Sequence, residues 1–316
     1  MAHLYIYSPS SAVRDRARFR RALARLKALG HEVEVDSSAL AVYQRFAGDD
    51  EARLAAIARA AASGADAALI SRGGYGLTRL LPRLPYDALA SAAEGGLRWV
   101  GMSDFTALQC ALLAKTGATT WAGPALGDDF GGPDEPDDIM LACFDDLLQG
   151  VGEGSGWRLP LPRGTSKVIA ARGQPVGHGG DFQTKPGLLW GGNLAVLASL
   201  VGTPYLPNPK GGILFLEDVG EHPYRVERML TQLLHAGVLA RQQALLLGQF
   251  TGFKPIAGYD RGFGMASVAE RLRALLPGVP VLAGLPFGHV PTKVCLPVGA
   301  RVTLAVEGRD ALIFWG

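Results

Sequence analysis

Arg98-Trp99-Val100-Gly101-Met102-Ser103-Asp104-Phe105-Thr106 is the stretch on which the reading of this 316-residue chain turns. A short apolar strand runs into Gly101, and an amphipathic helix begins almost at once with Ala107-Leu108-Gln109-Cys110-Ala111-Leu112-Leu113. Ser103 therefore falls where a strand bends sharply into a helix. A hydroxyl there is lifted above the sheet edge, with the following backbone N–H groups aimed at whatever approaches. That geometry suits a nucleophile attacking a carbonyl. It equally suits an N-cap, for which Ser and Asp are preferred, and the second glycine of G-x-S-x-G is missing. On the motif alone both readings stand.

Upstream, residues 4–7 read as a first strand closed by Ser8-Pro9-Ser10-Ser11, followed by a helix that runs to about Leu29, where Gly30 stops it. Val33–Val35 is a short strand, and Asp49-Asp50 cap a helix over Glu51–Ala62. Ala67-Ala68-Leu69-Ile70 is wholly apolar, as a parallel strand covered on both faces should be, and it leads into Arg72-Gly73-Gly74-Tyr75-Gly76. A helix near Tyr86–Ala92 precedes the Ser103 unit, and a strand over Ala118–Trp121 follows it. Alternating strands and helices predict βαβ units with a mostly parallel sheet. Ligands bind such sheets at the carboxyl ends of the strands. The loops Ser8–Ser11, Arg72–Gly76 and Gly101–Asp104 all leave those ends.

Between Gly127 and Gly164 glycine, proline and acidic residues dominate around one helix, Ile139–Leu148, which places a domain boundary near residue 155. The expectation is an α/β fold: an N-terminal α/β domain over residues 1–155 and a β-rich domain over 156–316. In the second domain Lys167–Ile169 and Gln174–Val176 read as short extended pieces, and Asn193–Val201 as an uncharged helix. Gly212–Leu216 and Ala244–Leu247 read as buried strands, Tyr224–Leu234 and Met265–Leu276 as helices, and Val279–Ala283 as extended. The end, Lys293–Pro297, Arg301–Val306 and Ala311–Phe314, reads as a β-meander.

Composition narrows the function classes. Lys+Arg 31 against Asp+Glu 29 leaves a net charge of +2, which argues against nucleic acid or an anionic membrane as the main partner. Cys110, Cys143 and Cys295 are odd in number and widely spaced, with neither a disulfide framework nor a metal signature. No basic segment followed by a long apolar run opens the chain. The uncharged stretch from Pro186 to Pro209 is broken by Gly191-Gly192-Asn193 and Pro207-Asn208-Pro209. A cytoplasmic protein with no membrane association is expected.

A serine hydroxyl needs a base, and the base needs an orienting group. Of six histidines, His3, His31 and His235 read as structural or solvated, His178 lies in a glycine-rich loop, and His222 sits at a helix start, where the dipole disfavours a cation. His289 stands in Gly284-Leu285-Pro286-Phe287-Gly288-His289-Val290-Pro291, a rigid loop after a strand. Glu217 ends an apolar strand and opens Glu217-Asp218-Val219-Gly220-Glu221. There one acid could orient the base, while Asp218 or Glu221 could instead cap the next helix. For an oxyanion hole, Gly73-Gly74 permits close backbone approach, Asp104 N–H follows the serine, and Arg72 could grip a carboxylate in two-pronged fashion. A phosphate nest is the competing reading of Arg72–Gly76, but neither G-x-G-x-x-G after the first strand nor G-x-x-x-x-G-K-[ST] is present.

Taken together, Arg72–Gly76, Gly101–Thr106, Gly123-Pro124, Gly191-Gly192-Asn193-Leu194, Leu216–Glu221 with Tyr224 and Arg228–Leu230, and Gly284–His289 resemble the LD-carboxypeptidases, or muramoyltetrapeptide carboxypeptidases, in order and over most of the chain. The resemblance implies a Rossmann-like N-terminal domain, a smaller β-rich C-terminal domain, an active site at their interface and often a homodimer. It implies a serine peptidase in which Ser103, Glu217 and His289 are catalytic and the backbone of Gly74 and Asp104 forms the oxyanion hole. Arg72, Gly73, Tyr75 and Glu221 are taken as substrate-binding. The implied reaction releases the terminal D-alanine of a murein tetrapeptide in cytoplasmic cell-wall recycling, without cofactor or metal. The related microcin C7 immunity branch, which cleaves peptidyl-nucleotide antibiotics, would need an aromatic platform, for which Trp157 and Trp190 are the candidates. A non-catalytic small-peptide-binding protein is the third possibility.

Overall fold

The computed structural model describes residues 1–160 and 180–315. The extended pieces expected at 167–169 and 174–176, and His178, lie outside the described residues. The described chain falls into two compact units. One comprises Met1–Gly152 with Gly202–Pro207 and Pro291–Gly299; the other comprises Glu153–Val201, Asn208–Val290 and Ala300–Gly316.

The first unit is built on β1 (His3–Tyr7), β2 (Glu32–Val35), β3 (Ala67–Ile70), β4 (Arg98–Gly101) and β5 (Thr120–Ala122). These pair in parallel in the spatial order β5-β4-β3-β1-β2. Helices α1 (Arg16–Ala28), α2 (Asp50–Ala61), α3 (Tyr86–Glu94), α4 (Thr106–Thr116) and α5 (Asp138–Gln149) connect and cover them. All four residues of β3 are fully buried, as its unbroken apolar run requires. Alternation sends Leu4, Ile6, Ala67, Leu69 and Val100 to one face, where they pack with Phe19, Ala22 and Leu26 of α1 and Met140, Phe144 and Leu147 of α5. Truncating one of those leucines to alanine removes about 2–5 kcal/mol of packing and transfer free energy. Asp49 starts its helix as the sequence indicates, accepting from Ala52 N at 2.8 Å, and Asp15 does the same for α1, accepting from Arg18 N at 2.8 Å.

The second unit carries β6 (Gly154–Arg158), β7 (Phe182–Gln183), β8 (Gly187–Asn193), β9 (Ile213–Val219), β10 (Ala244–Thr251), β11 (Val281–Ala283), β13 (Arg301–Glu307) and β14 (Asp310–Phe314). Strands β8, β9, β10 and β11 are parallel and separated by α6 (Leu194–Ser199), α7 (Pro223–His235) and α8 (Met265–Leu275), so half of this sheet repeats the βα logic of the first. The other half is antiparallel: β13 pairs with β7, β8 and β14, and β14 with β6.

Two expectations change. The C-terminal meander is a hairpin of β13 and β14 only. The segment before it forms β12 (Leu296–Val298), an antiparallel edge strand on β5 of the first sheet. Its apolar run fits either environment, so composition could not assign it. The uncharged run after Pro186 is mainly strand β8, with a six-residue helix where a longer one is expected. Among the described residues no helix is long and apolar enough to cross a membrane.

Candidate active site

Three loops leave the carboxyl ends of β1, β3 and β4, and they touch. A Cβ on Gly73 would stand 2.7 Å from Ser103 Cβ and 2.8 Å from its Oγ, so only glycine lets this loop lie against the serine. Gly74 has φ +96°, and a Cβ there would stand 2.8 Å from Ser11 Cβ. Ser11 Oγ in turn donates to the Tyr75 carbonyl at 3.2 Å. Arg72 donates through Nη1 to the Ala12 carbonyl at 3.1 Å, which fixes the guanidinium next to the same loop. Tyr75 is about half exposed (48%).

Ser103 itself has φ +64°, in the left-handed region that non-glycine residues avoid at a cost of about 1–2 kcal/mol. It opens a single 3₁₀ turn, Ser103–Phe105, that leads into α4. The capping alternative is thereby corrected. Met102 is the N-cap of the turn and Phe105 that of α4, and no side-chain cap bond is formed at either. A residue at positive φ, Ser103, stands at the bend itself. Asp104 N–H belongs to the first turn, where amides lack an intrahelical acceptor. The Asp104 side chain, which sequence reasoning left without a role, is buried and accepts from Ser10 Oγ at 2.7 Å and Leu77 N at 2.9 Å. It thus ties the ends of the β1 and β3 loops to the serine turn. Burial raises its carboxyl above the ordinary range against the pull of those hydrogen bonds. Behind the turn, Met102 Sδ lies 3.4 Å from the buried Lys293 ammonium, which pairs with Asp129 at 2.5 Å.

In the second unit Glu217 sits near the end of the central strand β9, fully buried. Its Oε2 is 2.8 Å from His289 Nδ1, and its Oε1 accepts from Asn193 Nδ2 at 3.1 Å. Asn193 caps α6 by accepting from Val196 N (3.1 Å) and also donates to Asp218 Oδ1 (3.0 Å). Asp218 accepts from Ala195 N at 2.9 Å. Burial pushes Asp218 up to about 6, with the neighbouring Glu217 charge adding to the rise and the Asn193 hydrogen bond opposing it. The loop bearing His289 is held by Gln249, whose Nε2 donates to the Leu285 carbonyl (3.1 Å) and whose N–H donates to that of Phe287 (2.8 Å). The capping alternative for the acids is corrected too: α7 begins at His222, whose Nδ1 accepts from Tyr224 N. Glu221 lies near Arg225 at 3.6 Å.

The first unit thus gathers Arg72, Gly73, Gly74, Tyr75, Ser103 and Asp104, and the second joins Glu217 to His289. Gln249 escaped sequence reading, and so did the roles of Asn193 and Asp218 beside Glu217, since the sequence marks Asn193 only as a helix start and Asp218 only as a possible cap. Neither indole offered for a nucleotide platform is free, since Trp190 is buried with Nε1 donating to Gln242 Oε1 at 2.9 Å and Trp157 is buried with Nε1 on the Ala283 carbonyl at 3.3 Å. Among the described residues no group of three or more His, Cys, Asp or Glu side chains could hold a metal ion.

Residues 4–123 match the LD-carboxypeptidase N-terminal domain and residues 186–304 the LD-carboxypeptidase C-terminal domain. The crystal structure of muramoyltetrapeptide carboxypeptidase from Oxalobacter formigenes shares 38% identity and a TM-score of 0.82, covering 98% of this chain and 97% of that one. The murein tetrapeptide carboxypeptidase of Pseudomonas aeruginosa is 34% identical over 249 residues, 75% of this chain and 71% of the relative. The microcin C7 self-immunity protein MccF of Escherichia coli is 28% identical over 255 residues, 76% of this chain and 71% of the relative. With both halves matched and the fold shared along its length, the chain belongs to the LD-carboxypeptidase family, whose members are carboxypeptidase-type hydrolases.

Proposed function

We propose that this protein is a serine LD-carboxypeptidase that releases the C-terminal D-alanine from murein tetrapeptides. Ser103 Oγ attacks the carbonyl of the L-centre before the D-residue. His289 takes the proton through Nε2, since its Nδ1 faces Glu217. Glu217 keeps the tautomer with Nδ1 protonated and stabilises the imidazolium as it forms. The N–H groups of Gly74 and Asp104 receive the developing oxyanion. His289 then protonates the leaving amine, and water attacks the acyl-enzyme by the same route in reverse. Arg72 binds the free carboxylate of the departing residue, and Gly73, Tyr75 and Glu221 line the substrate's path. A cytoplasmic homodimer acting in peptidoglycan recycling belongs to the same reading.

The observation that carries it is the Glu217–His289 pair at 2.8 Å, in which a fully buried carboxylate is aimed at an imidazole by a second donor, Asn193. An acid at a buried strand end has no packing value to offset its desolvation, so its partner explains its presence. Incubation with murein tetrapeptide, read by mass spectrometry, should release D-alanine, and Ser103→Ala should lower kcat by about 10⁴–10⁶-fold with folding little changed. Normal turnover by Ser103→Ala would remove the mechanism. An aminoacyl-sulfamoyl adenosine run in parallel separates the substrate classes, because adenosine sulfamate without D-alanine would move the reading to the nucleotide-antibiotic branch.

A further inference from the structure

We propose that Arg45 is a second anion anchor, one that recognises a carboxylate of the peptide on the acyl side of the scissile bond. The inference rests on the carboxypeptidase reading above and concerns which peptides that site prefers.

Residues 43–47 form a tight loop that docks along the β1 loop. Ala12 N donates to the Arg45 carbonyl at 3.0 Å and Ala47 N to that of Ser10 at 3.1 Å, while Phe46 bridges to both Ser11 and Tyr43. Ser11 is the residue against which Gly74 packs, so the loop is fixed relative to the Ser103 cluster. Gln44, at the tip, has φ +54°, a left-handed conformation adopted at a cost and retained where the surroundings enforce it. The residue this turn presents is Arg45, exposed, with Cζ 5.6 Å from the centroid of the Tyr75 ring. Stacking restricts the guanidinium while leaving its N–H edge open for two-pronged carboxylate binding.

The neighbouring arginines are already engaged. Arg53 and Arg79 pair with Asp50, Arg83 with Glu51, and Arg59 with Asp36. The nearby Asp49 caps α2. Among the described residues Arg45 has no carboxylate within ion-pair distance. A guanidinium held on an aromatic ring, supported by a strained turn and left without an acid, is arranged for an anion from outside.

Position selects which anion. Arg72 adjoins Gly73, which lies against Ser103, and its Nη2 is 3.9 Å from where a Gly74 Cβ would be. It is therefore the arginine suited to the terminal carboxylate. A carboxypeptidase leaves a single residue on the departing side, about 3.5 Å of chain. Tyr75 is two residues beyond Gly73 on the loop that lies against Ser103, and Arg45 lies across its ring; with Arg72 taken by the terminal carboxylate, Arg45 is assigned to the retained part of the peptide. The ligand class is an acidic peptide with a side-chain or branch carboxylate at or before the residue that supplies the scissile carbonyl.

Two peptides test this, both ending in an L-residue followed by D-alanine: one whose L-residue carries a side-chain carboxylate, and the same peptide with that group amidated. Arg45→Ala should raise KM about tenfold for the acidic peptide, the size of one charge-assisted contact, and leave kcat within about twofold and the amidated peptide unaffected. Arg45→Lys should recover part of the loss. Equal losses on both peptides, no loss on either, or a fall in kcat alone would overturn the assignment. Calorimetry on Ser103→Ala separates this from the hydrolase reading. If the wild type cleaves neither peptide, the hydrolase reading falls. The anchor then stands only if Ser103→Ala prefers the acidic peptide and Ser103→Ala/Arg45→Ala does not.

Discussion

Around Ser103 the candidate reactive atom is fixed by backbone: a residue at φ +64°, a glycine with no room for a side chain, and amides at the start of a helical turn. Around Glu217 it is fixed by side chains: a carboxylate on a central strand, an amide from Asn193, an imidazole at 2.8 Å, and a second acid sharing the same asparagine. The two constructions fail differently. A backbone-built turn stores conformational strain in its φ angle, which titration does not change. A side-chain network stores desolvation free energy, and its strength changes when a group titrates. Substitutions that change only the backbone preference therefore probe the first region, and substitutions of titratable side chains probe the second.

The largest effect expected in the side-chain region comes from Glu217→Gln. The amide keeps the volume and can still bond to His289, yet it can donate where Glu217 accepts, so the imidazole settles in the wrong tautomer. We expect kcat to fall by about 10³–10⁴-fold with KM little changed. A loss below tenfold in steady-state assays would show that His289 does not depend on this carboxylate.

How much of each region could be read in the sequence follows the same division. The Ser103 turn was legible because backbone demands leave marks in composition: Gly73-Gly74, Gly101 before Met102-Ser103, and an apolar strand that runs straight into an apolar helix. The parallel core was legible for a similar reason, since a strand buried on both faces must read like Ala67–Ile70. What was not legible depends on long-range partners. Nothing in Asp104 distinguishes a cap from a buried acceptor for Ser10 and Leu77, residues that meet it only after folding. Nothing in Leu296–Val298 says that it joins β5 and not β13. Asn193 could be read as a helix cap, which it is, but its second task on Glu217 and Asp218 lies across 24 and 25 residues of chain.

A smaller effect is expected from Asp218, and it is confined to the side-chain region. Its carboxyl is raised from 3.8 to about 6 by burial, so between those values the folded protein holds a proton that the unfolded chain has released. Stability then falls as pH rises through that window, because the ionised form is disfavoured in the fold. The span corresponds to about 2–3 kcal/mol. Thermal melts from pH 4 to 6.5 should show this decline, and Asp218→Asn should flatten it. An unchanged slope in the variant would assign the pH dependence to other groups.

The smallest effect isolates the backbone region. Exchanging alanine for glycine inside an ordinary helix lowers stability by about 0.5–1 kcal/mol, because glycine loses more chain entropy on folding. At φ +64° the sign should reverse, since alanine retains the Cβ that makes the left-handed conformation unfavourable by about 1–2 kcal/mol and glycine does not. Ser103→Gly should therefore be more stable than Ser103→Ala by about 0.5–1 kcal/mol, or about 1 °C in Tm, although both lack the hydroxyl. Comparing the two variants with each other, and not with the wild type, cancels the lost oxygen and leaves only the Cβ. Equal melting temperatures would mean that the turn at Ser103 is relaxed. The contrast with the Glu217 region would then rest on hydrogen bonding alone.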